Sequence, residues 1–545
     1  MKKETKKTKN ILANNLFLYF SEFFAGMTVM AVELGASRLL TPYFSSSQIV
    51  WTIIIGTIMI AMALGNLYGG RAADKDPNPD KLYKRVIFAA IWIAAIPVVG
   101  KYLISVIGLL IVFTVKSAYL SWAAFAACMI VFVPPLFFLG TVTPSLVKYA
   151  VSNLENSGKT VGRLNAFNTI GSIIGTFVPT FISIPTVGTS LTFLIFAGIL
   201  LALALVYFFS VKRGTVISIV AIVLFIICCI FGHKTHFAFW EDNLTYEGES
   251  VYNYLHVSED EDTVYLSTNV LIGVQSVYEK NDNTLTGMYY DYAMAAPYMT
   301  GVYEKEKLDV LILGMGSGTF ATQCNRFFDN INSFGVEIDD KIIDLSRKYF
   351  NLDESIDVLA YDGRAFLNAD KGQYAVILVD AYQDITIPFQ MSSVEFFNLV
   401  KSHLTDDGVM VVNLNMRGGE DLINTYLSDT IDYVFPHVFR AEIRNSTSTV
   451  LYAAKTDKIL ETMDRNLWLE ESPILLPAMQ DVRDRTTVFH GGDHIMTDDK
   501  APVELLGMKV IDALIEDELQ YYREMIPYYW QIFKEKGLKG LMESI

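Results

Sequence analysis

Long apolar runs crowd the first 232 residues and are absent beyond them. A membrane-crossing helix needs ~20 mostly apolar residues. Seven stretches reach or approach that length: 16–40, 49–68, 86–107, 123–142, 167–184, 191–209 and 216–231. A further apolar piece, 103–115, either re-enters or ends a long third helix, so six and eight crossings stay open. Residues 1–14 hold Lys2, Lys3, Lys6, Lys7 and Lys9 with no long apolar core. They read as a basic cytoplasmic tail rather than a cleaved leader. The pattern therefore predicts a transmembrane domain of about seven helices over 15–232, in a multi-pass cell-membrane protein whose first partner is the lipid bilayer.

Basic residues follow the second span (Arg71, Lys75, Lys81, Lys84, Arg85), the fourth (Lys148, Lys159, Arg163) and the sixth (Lys212, Arg213). Cytoplasmic loops carry such an excess. Seven crossings would put everything after Phe231 outside the cell, and an even number would return it inside; both remain open. Gly65/Gly69 and Gly171/Gly175 are small pairs that permit close helix packing. Glu33 and Arg38 in the first span are read as an interfacial ion pair. Pro134, Pro135, Pro144 and Pro179 predict kinks.

From Phe239 the pattern shortens to β-type runs at 251–257, 263–266 and 273–279, separated by acidic and amide turns. Asn281 and Asn283 mark a hairpin turn, and a helix is expected over 289–299. Strand and helix periods then alternate: strands at 310–313, 333–336, 356–359, 375–379 and 409–413, with a helix at 394–403. Such alternation predicts a mainly parallel sheet. Domain limits follow as a small β-sheet subdomain at 240–300, a nucleoside-binding domain at 301–455 and a C-terminal helical extension at 456–545. The fold class is thus an α-helical transmembrane bundle followed by an α/β Rossmann-like methyltransferase-type domain with a small N-terminal β-sheet.

Chemistry concentrates in 308–350. The apolar run ending at Leu313 is followed by Gly314, Gly316 and Gly318, which allow a tight turn and close ligand approach before a helix N-terminus. The next strand ends in Glu337, at the edge where open α/β sheets bind ligands. A carboxylate there can accept both hydroxyls of a ribose. Bulk composition narrows the field further. Of 545 residues, 52% are hydrophobic, and mean hydropathy is +0.33, too apolar for an ordinary soluble protein. A net charge of -16 argues against nucleic acid as a partner. Four cysteines, three of them in apolar runs, exclude a disulfide scaffold and a cysteine-rich metal site. His490, Asp493 and His494 in HGGDH read as a loop, so no metal is expected.

Several segments in order then resemble the polyamine aminopropyltransferases (spermidine synthases), and the whole layout resembles their membrane-fused members. ESVYNYLHV (249–257) is similar to the family's opening strand, and GVQS (273–276) to the strand that places Gln275 at a nucleoside contact. GMGSGT (314–319) stands where the family has GGGDGG. VEIDDKIIDLSRKYF (336–350) is a close match, and YDGRAFL (361–367) resembles the turn that holds the adenine, with Asp362 at its amino group and Gly363 beside it. DAYQDITIP (380–388) stands at the catalytic loop, and TDDKAPVE (497–504) resembles a late motif of the membrane-fused members.

The resemblance implies an aminopropyl group moved from decarboxylated S-adenosylmethionine, a co-substrate rather than a tightly bound cofactor, to putrescine or a related amine. The partners implied are a small-molecule amine, a sulfonium nucleoside and a second copy of the chain in a homodimer. The nucleoside side of the site matches closely and the amine side departs. Ser317 replaces the amine-gripping aspartate, and Tyr289-Tyr290-Asp291 replaces tyrosine-histidine-glutamate. Gln383 falls on the proton-accepting aspartate, with Asp384 one position later. Asp380, Gln383 and Asp384 are the catalytic candidates, and Tyr290, Asp291, Ser317 and Tyr382 the substrate-binding ones. The replacements predict slow putrescine turnover. Two other readings remain: an S-adenosylmethionine-dependent methyltransferase-type enzyme, and a non-catalytic polyamine- or nucleoside-sensing membrane transporter.

Overall fold

The computed structural model describes residues 15–45, 47–115, 117–150, 157–234, 236–270, 274–281, 284–381, 388–414, 422–444, 446, 448–513, 515, 516, 520, 525, 528, 531, 532 and 534. They fall into two units, Met1–Trp240 with Glu247–Tyr254, and Glu241–Tyr246 with Leu255–Ile545.

The first unit is helical: α1 (Asn15–Phe44), α2 (Gln48–Lys75), α3 (Pro79–Thr114), α4 (Tyr119–Val131), α5 (Val133–Gly140), α6 (Val142–Ala150), α7 (Ser157–Val178), α8 (Ile184–Val211) and α9 (Thr215–Gly232). Ser47 accepts the Val50 N–H to cap α2, and Pro79 occupies the first turn of α3, where its missing N–H costs nothing. The small pairs mark the tightest helix contacts. A Cβ on Gly171 or Gly175 would lie 2.0 Å from the carbonyl oxygens of Phe23 and Met27 on α1. One on Gly65 would lie 2.2 Å from that of Phe137 on α5.

Among the described residues five helices are long and apolar enough to cross a membrane, or six if the bent pair at 119–150 counts as one span. Pro134 and Pro135 follow the 50° bend, and Pro179 opens a five-residue π turn between α7 and α8. One counted stretch, Gly158–Val211, has 54 residues and loses helical geometry at Gly188 (φ 81°, ψ 169°). A straight helix of that length would span ~80 Å, against ~30 Å of hydrocarbon. It therefore has two arms. Arg38 does not pair with Glu33 as expected. Its guanidinium donates to the carbonyls of Ser250 and Val251 and interacts with the Glu249 carboxylate, because the end of α1 meets that loop rather than Glu33.

The second unit holds two sheets. The first runs β1 (Leu244–Glu249), β2 (Tyr254–Glu259), β3 (Thr263–Ser267), β4 (Ser276–Glu279) in chain order. Two short helices, α10 (Tyr289–Ala293) and α11 (Ala295–Met299), replace the single one expected. The larger unit alternates β5 (Leu308–Leu313), α12 (Thr319–Phe327), β6 (Ile331–Glu337), α13 (Asp340–Tyr349), β7 (Asp357–Ala360), α14 (Gly363–Ala369), β8 (Tyr374–Val379), α15 (Val394–His403) and β9 (Leu404–Leu414). There follow α16 (Leu422–Val434), β10 (His437–Glu442), β11 (Thr449–Ala454), α17 (Ile459–Leu469), α18 (Leu475–Arg485) and β12 (Thr486–Phe489).

Sheet order is β12-β10-β11-β9-β8-β5-β6-β7. Strands β9 to β7 are parallel, and β11, β10 and β12 are antiparallel. The central strands are continuous apolar runs because helices cover both faces. Leu308, Val310, Ile312, Val376, Leu378, Val409 and Val411 share one buried core with Phe320 and Tyr452. The 456–545 segment departs from the expected all-helical extension, since β12 joins the sheet edge beside β10. Of its four residues only Thr486 is buried, and the run carries too little apolar pattern to announce a strand.

Candidate active site

The chain reverses its direction of growth across the sheet at β5, which has β6 on one side and β8 on the other. At such a switch point the two loops diverge and leave a crevice beyond the strand ends. The turns there are tied together. Gly314 N–H donates to Val336 O (2.9 Å), Asp380 N–H to Leu313 O (2.8 Å) and Tyr361 N–H to Glu337 O (2.9 Å). Gly314, Gly316 and Gly318 take φ of 84°, 55° and 81°, where a side chain is strained. A Cβ on Gly314 would also sit 2.6 Å from the Ala381 backbone.

Glu337 closes β6 and turns under this glycine bend. Its Oε2 accepts the Gly316 N–H (2.9 Å) and its Oε1 the Asp339 N–H (3.1 Å). Burial pushes its carboxyl up to about 7, against those backbone hydrogen bonds and with a small push from Asp339. Asp380, at the end of β8, accepts the Tyr289 O–H. Burial likewise raises Asp380 to about 7; the Tyr289 hydrogen bond opposes this and the Glu337 charge adds to it. The two acids therefore feel one another across the bend. The Tyr289 and Tyr290 rings lie 4.0 Å apart, and Tyr290 O–H donates to Gln275 O (3.1 Å).

A Spermine/spermidine synthase domain matches residues 291–456. The chain is 46% identical over 362 residues to the probable polyamine aminopropyl transferase of Bifidobacterium longum, covering 63% of this chain and 78% of that one. The chain belongs to the polyamine aminopropyltransferase family. It is also 26% identical over 294 residues to a polyamine aminopropyltransferase of Oceanobacillus iheyensis, covering 50% of this chain and 56% of the relative. A solved probable spermidine synthase from Corynebacterium glutamicum aligns at 18% identity and a TM-score of 0.36, over 46% of this chain and 96% of that one.

Within the aminopropyltransferase unit the other predicted residues take varied places. Asp362 caps α14, its Oδ1 accepting the Ala365 N–H (2.7 Å), with Gly363 opening the helix. Gln275 is tied through its backbone N–H to Leu266 O (2.8 Å). Ser317 is 1% exposed; its N–H donates to Ser276 Oγ (3.1 Å), and its hydroxyl meets that of Thr319 (3.0 Å). It fastens the glycine bend to β4 and has turned inward. Asp291 is buried and accepts from Thr286 N and Oγ1, Gly287 N and Gln323 Nε2 at 2.7–3.1 Å. The protein itself uses that carboxylate. Tyr382, Gln383 and Asp384 lie outside the described residues.

Two participants escaped the sequence reading as partners. Tyr289 reaches Asp380 over 91 positions, and Arg364 of the adenine-type turn reaches Asp498 of the TDDK segment over 134. Both pairs lie in motifs already singled out, but nothing local marks one member as facing the other. Among the described residues no group of three or more His, Cys, Asp or Glu could hold a metal. In HGGDH, His494 Nδ1 lies 3.1 Å from Asp429 Oδ2, and the Gly491 N–H donates to Asp432 Oδ2 (2.9 Å).

Proposed function

We propose that this protein is a membrane-anchored aminopropyltransferase, moving the aminopropyl group of decarboxylated S-adenosylmethionine to putrescine or a related diamine. The observation that carries the reading is the pair Glu337 and Asp380, two acids raised toward neutrality on either side of one glycine bend. Glu337 accepts the ribose hydroxyls, and Asp362 the adenine amino group at the N-terminus of α14. Asp380, braced by Tyr289, positions the incoming amine and takes its proton. A base with a value near the working pH is suited to that task. The amine nitrogen forms a bond to the carbon beside the sulfonium, the C–S pair leaves with sulfur, and methylthioadenosine departs. Ser317 and Asp291 hold the bend and the α10 turn in place rather than gripping the amine. Gln383, standing for an acid, slows putrescine turnover, and Gln383→Asp raises it.

The apolar helices of the first unit support the membrane reading, by their length and composition. The test is turnover by the purified full-length chain supplied with decarboxylated S-adenosylmethionine and putrescine. Spermidine and methylthioadenosine are expected in equal amounts, and Asp380→Asn should lower the rate by roughly 10²-fold or more. A protein that binds methylthioadenosine yet releases none with any diamine sinks the proposal.

A further inference from the structure

The helical unit buries an acid that the transfer reaction does not use. Glu22 of α1 is fully buried. Its Oε1 accepts from Thr143 Oγ1 of α6 and from Asn168 Nδ2 of α7 (2.9 Å). Its Oε2 is buried with no hydrogen-bond partner among the described residues. One turn on, Ser172 Oγ of α7 donates to the Gly26 carbonyl (3.3 Å), so α1 and α7 meet here through polar atoms and small residues.

An ionised carboxylate is costly in such a place, and its presence asks for a partner or a role. Both neighbours present hydrogens to Oε1, which suits a charged carboxylate and does not suit a metal ion. The buried Oε2, which has no donor among the described residues, is the atom on which a proton would sit. The same pocket therefore supports both forms. We propose that Glu22 is a proton-exchanging residue of the helical unit, taking up and releasing a proton at Oε2 while Thr143 and Asn168 hold Oε1. Asp80 accepts the Tyr207 O–H, Tyr207 stacks on Tyr83 (4.2 Å between ring centres), and Tyr83 O–H meets Ser21 Oγ (3.0 Å) beside Glu22. The ionisable neighbour facing Glu22 is Tyr83 of α3, with Tyr149 of α6 behind it; α7 offers the uncharged Asn168 and Ser172.

The test is infrared difference spectroscopy of the full-length chain in lipid vesicles, stepped from acid to alkaline pH. A component of the protonated carboxylic-acid band that fades as pH rises should be shared by the parent protein and Glu33→Gln and missing from Glu22→Gln, over the bands that Glu337 and Asp380 leave in all three. Asn168→Leu, which removes one donor to the charged form, should raise the midpoint by about one pH unit, roughly tenfold in proton affinity. A Glu22 component that persists at every pH marks a fixed proton and overturns the proposal. So does a spectrum indifferent to Glu22→Gln, or an unmoved midpoint in Asn168→Leu, a milder variant that decides the matter if Glu22→Gln fails to fold.

Discussion

Glu337 and Asp380 show how burial sets both reactivity and stability. Each carboxyl is raised to about 7, with burial as the leading cause. With Asp380 in the proposed role of base to the amine, kcat should climb as pH rises through about 7. Asp380→Asn should flatten that profile at a low level. The stability consequence has the opposite sign. Between the ordinary carboxylate value near ~4 and about 7 the folded chain binds more protons than the unfolded one, so stability falls as pH rises through that window. Asp380→Asn should therefore unfold later than the parent at alkaline pH, read from the urea midpoint, and the gain should vanish under acid conditions. Glu337→Ala should weaken methylthioadenosine binding by roughly tenfold or more, since a hydrogen bond to a charged group contributes about 1.5–3 kcal/mol. Unchanged affinity by calorimetry would remove Glu337 from the ribose.

At the scale of elements, α14 carries Asp362 to the site and is held from the far end of the chain. Arg364 makes two hydrogen bonds to Asp498, at 2.7 and 2.6 Å. Ser393, which caps α15, donates to the same carboxylate (2.6 Å), and the Asp498 N–H donates to Glu395 (3.0 Å). The TDDK segment thus joins the N-terminal ends of α14 and α15. Asp498 is 39% exposed in its side chain, so solvent screening reduces what a forked arginine pair would otherwise contribute. Asp498→Ala should cost about 1 kcal/mol, read from the urea midpoint, and should cost less in an Arg364→Ala background, where only the Ser393 hydrogen bond remains to be lost. Arg364 holds the Asp498 carboxyl below its usual range, so this contribution is present at neutral pH and lost as pH falls below about 4. Two fully additive losses would deny the coupling.

Across the helical unit, the basic loops gather at one end and an aromatic cluster around Lys101 at the other. At one end Lys148 pairs with Asp74 (2.8 Å), Lys81 with Asp76 (2.7 Å), and Arg85 lies over Tyr68. At the other, Tyr43 O–H donates to Phe237 O (3.1 Å), Lys101 to His236 O (2.9 Å), and Tyr102 packs on Phe239. Aromatic side chains collect where a bilayer meets water, and lysines and arginines on the cytoplasmic side. The chain therefore leaves α9 at the end opposite its basic loops. Cysteines placed at 212 and at 240 should label from opposite faces of sealed vesicles. Labelling of both from one face would reverse this topology.

Sequence alone determined what depends on local physics. Apolar length marked the helices of the first unit, small pairs their closest contacts, and strand-then-glycine spacing the turn after β5. Glu337 could be named because a strand's last residue necessarily stands at the ligand-binding edge of a parallel sheet. Gly314, Gly316 and Gly318 followed from the backbone conformations such a turn requires. Partnerships between distant segments were decided by the tertiary structure. Tyr289 meets Asp380, Arg364 meets Asp498, and Glu22 meets Thr143 and Asn168 only because helices and loops remote in the chain become neighbours. The inward turn of Ser317 and the full coordination of Asp291 belong to the same class. A side chain's spacing fixes which face it occupies, but what stands opposite that face is settled by packing of the whole fold.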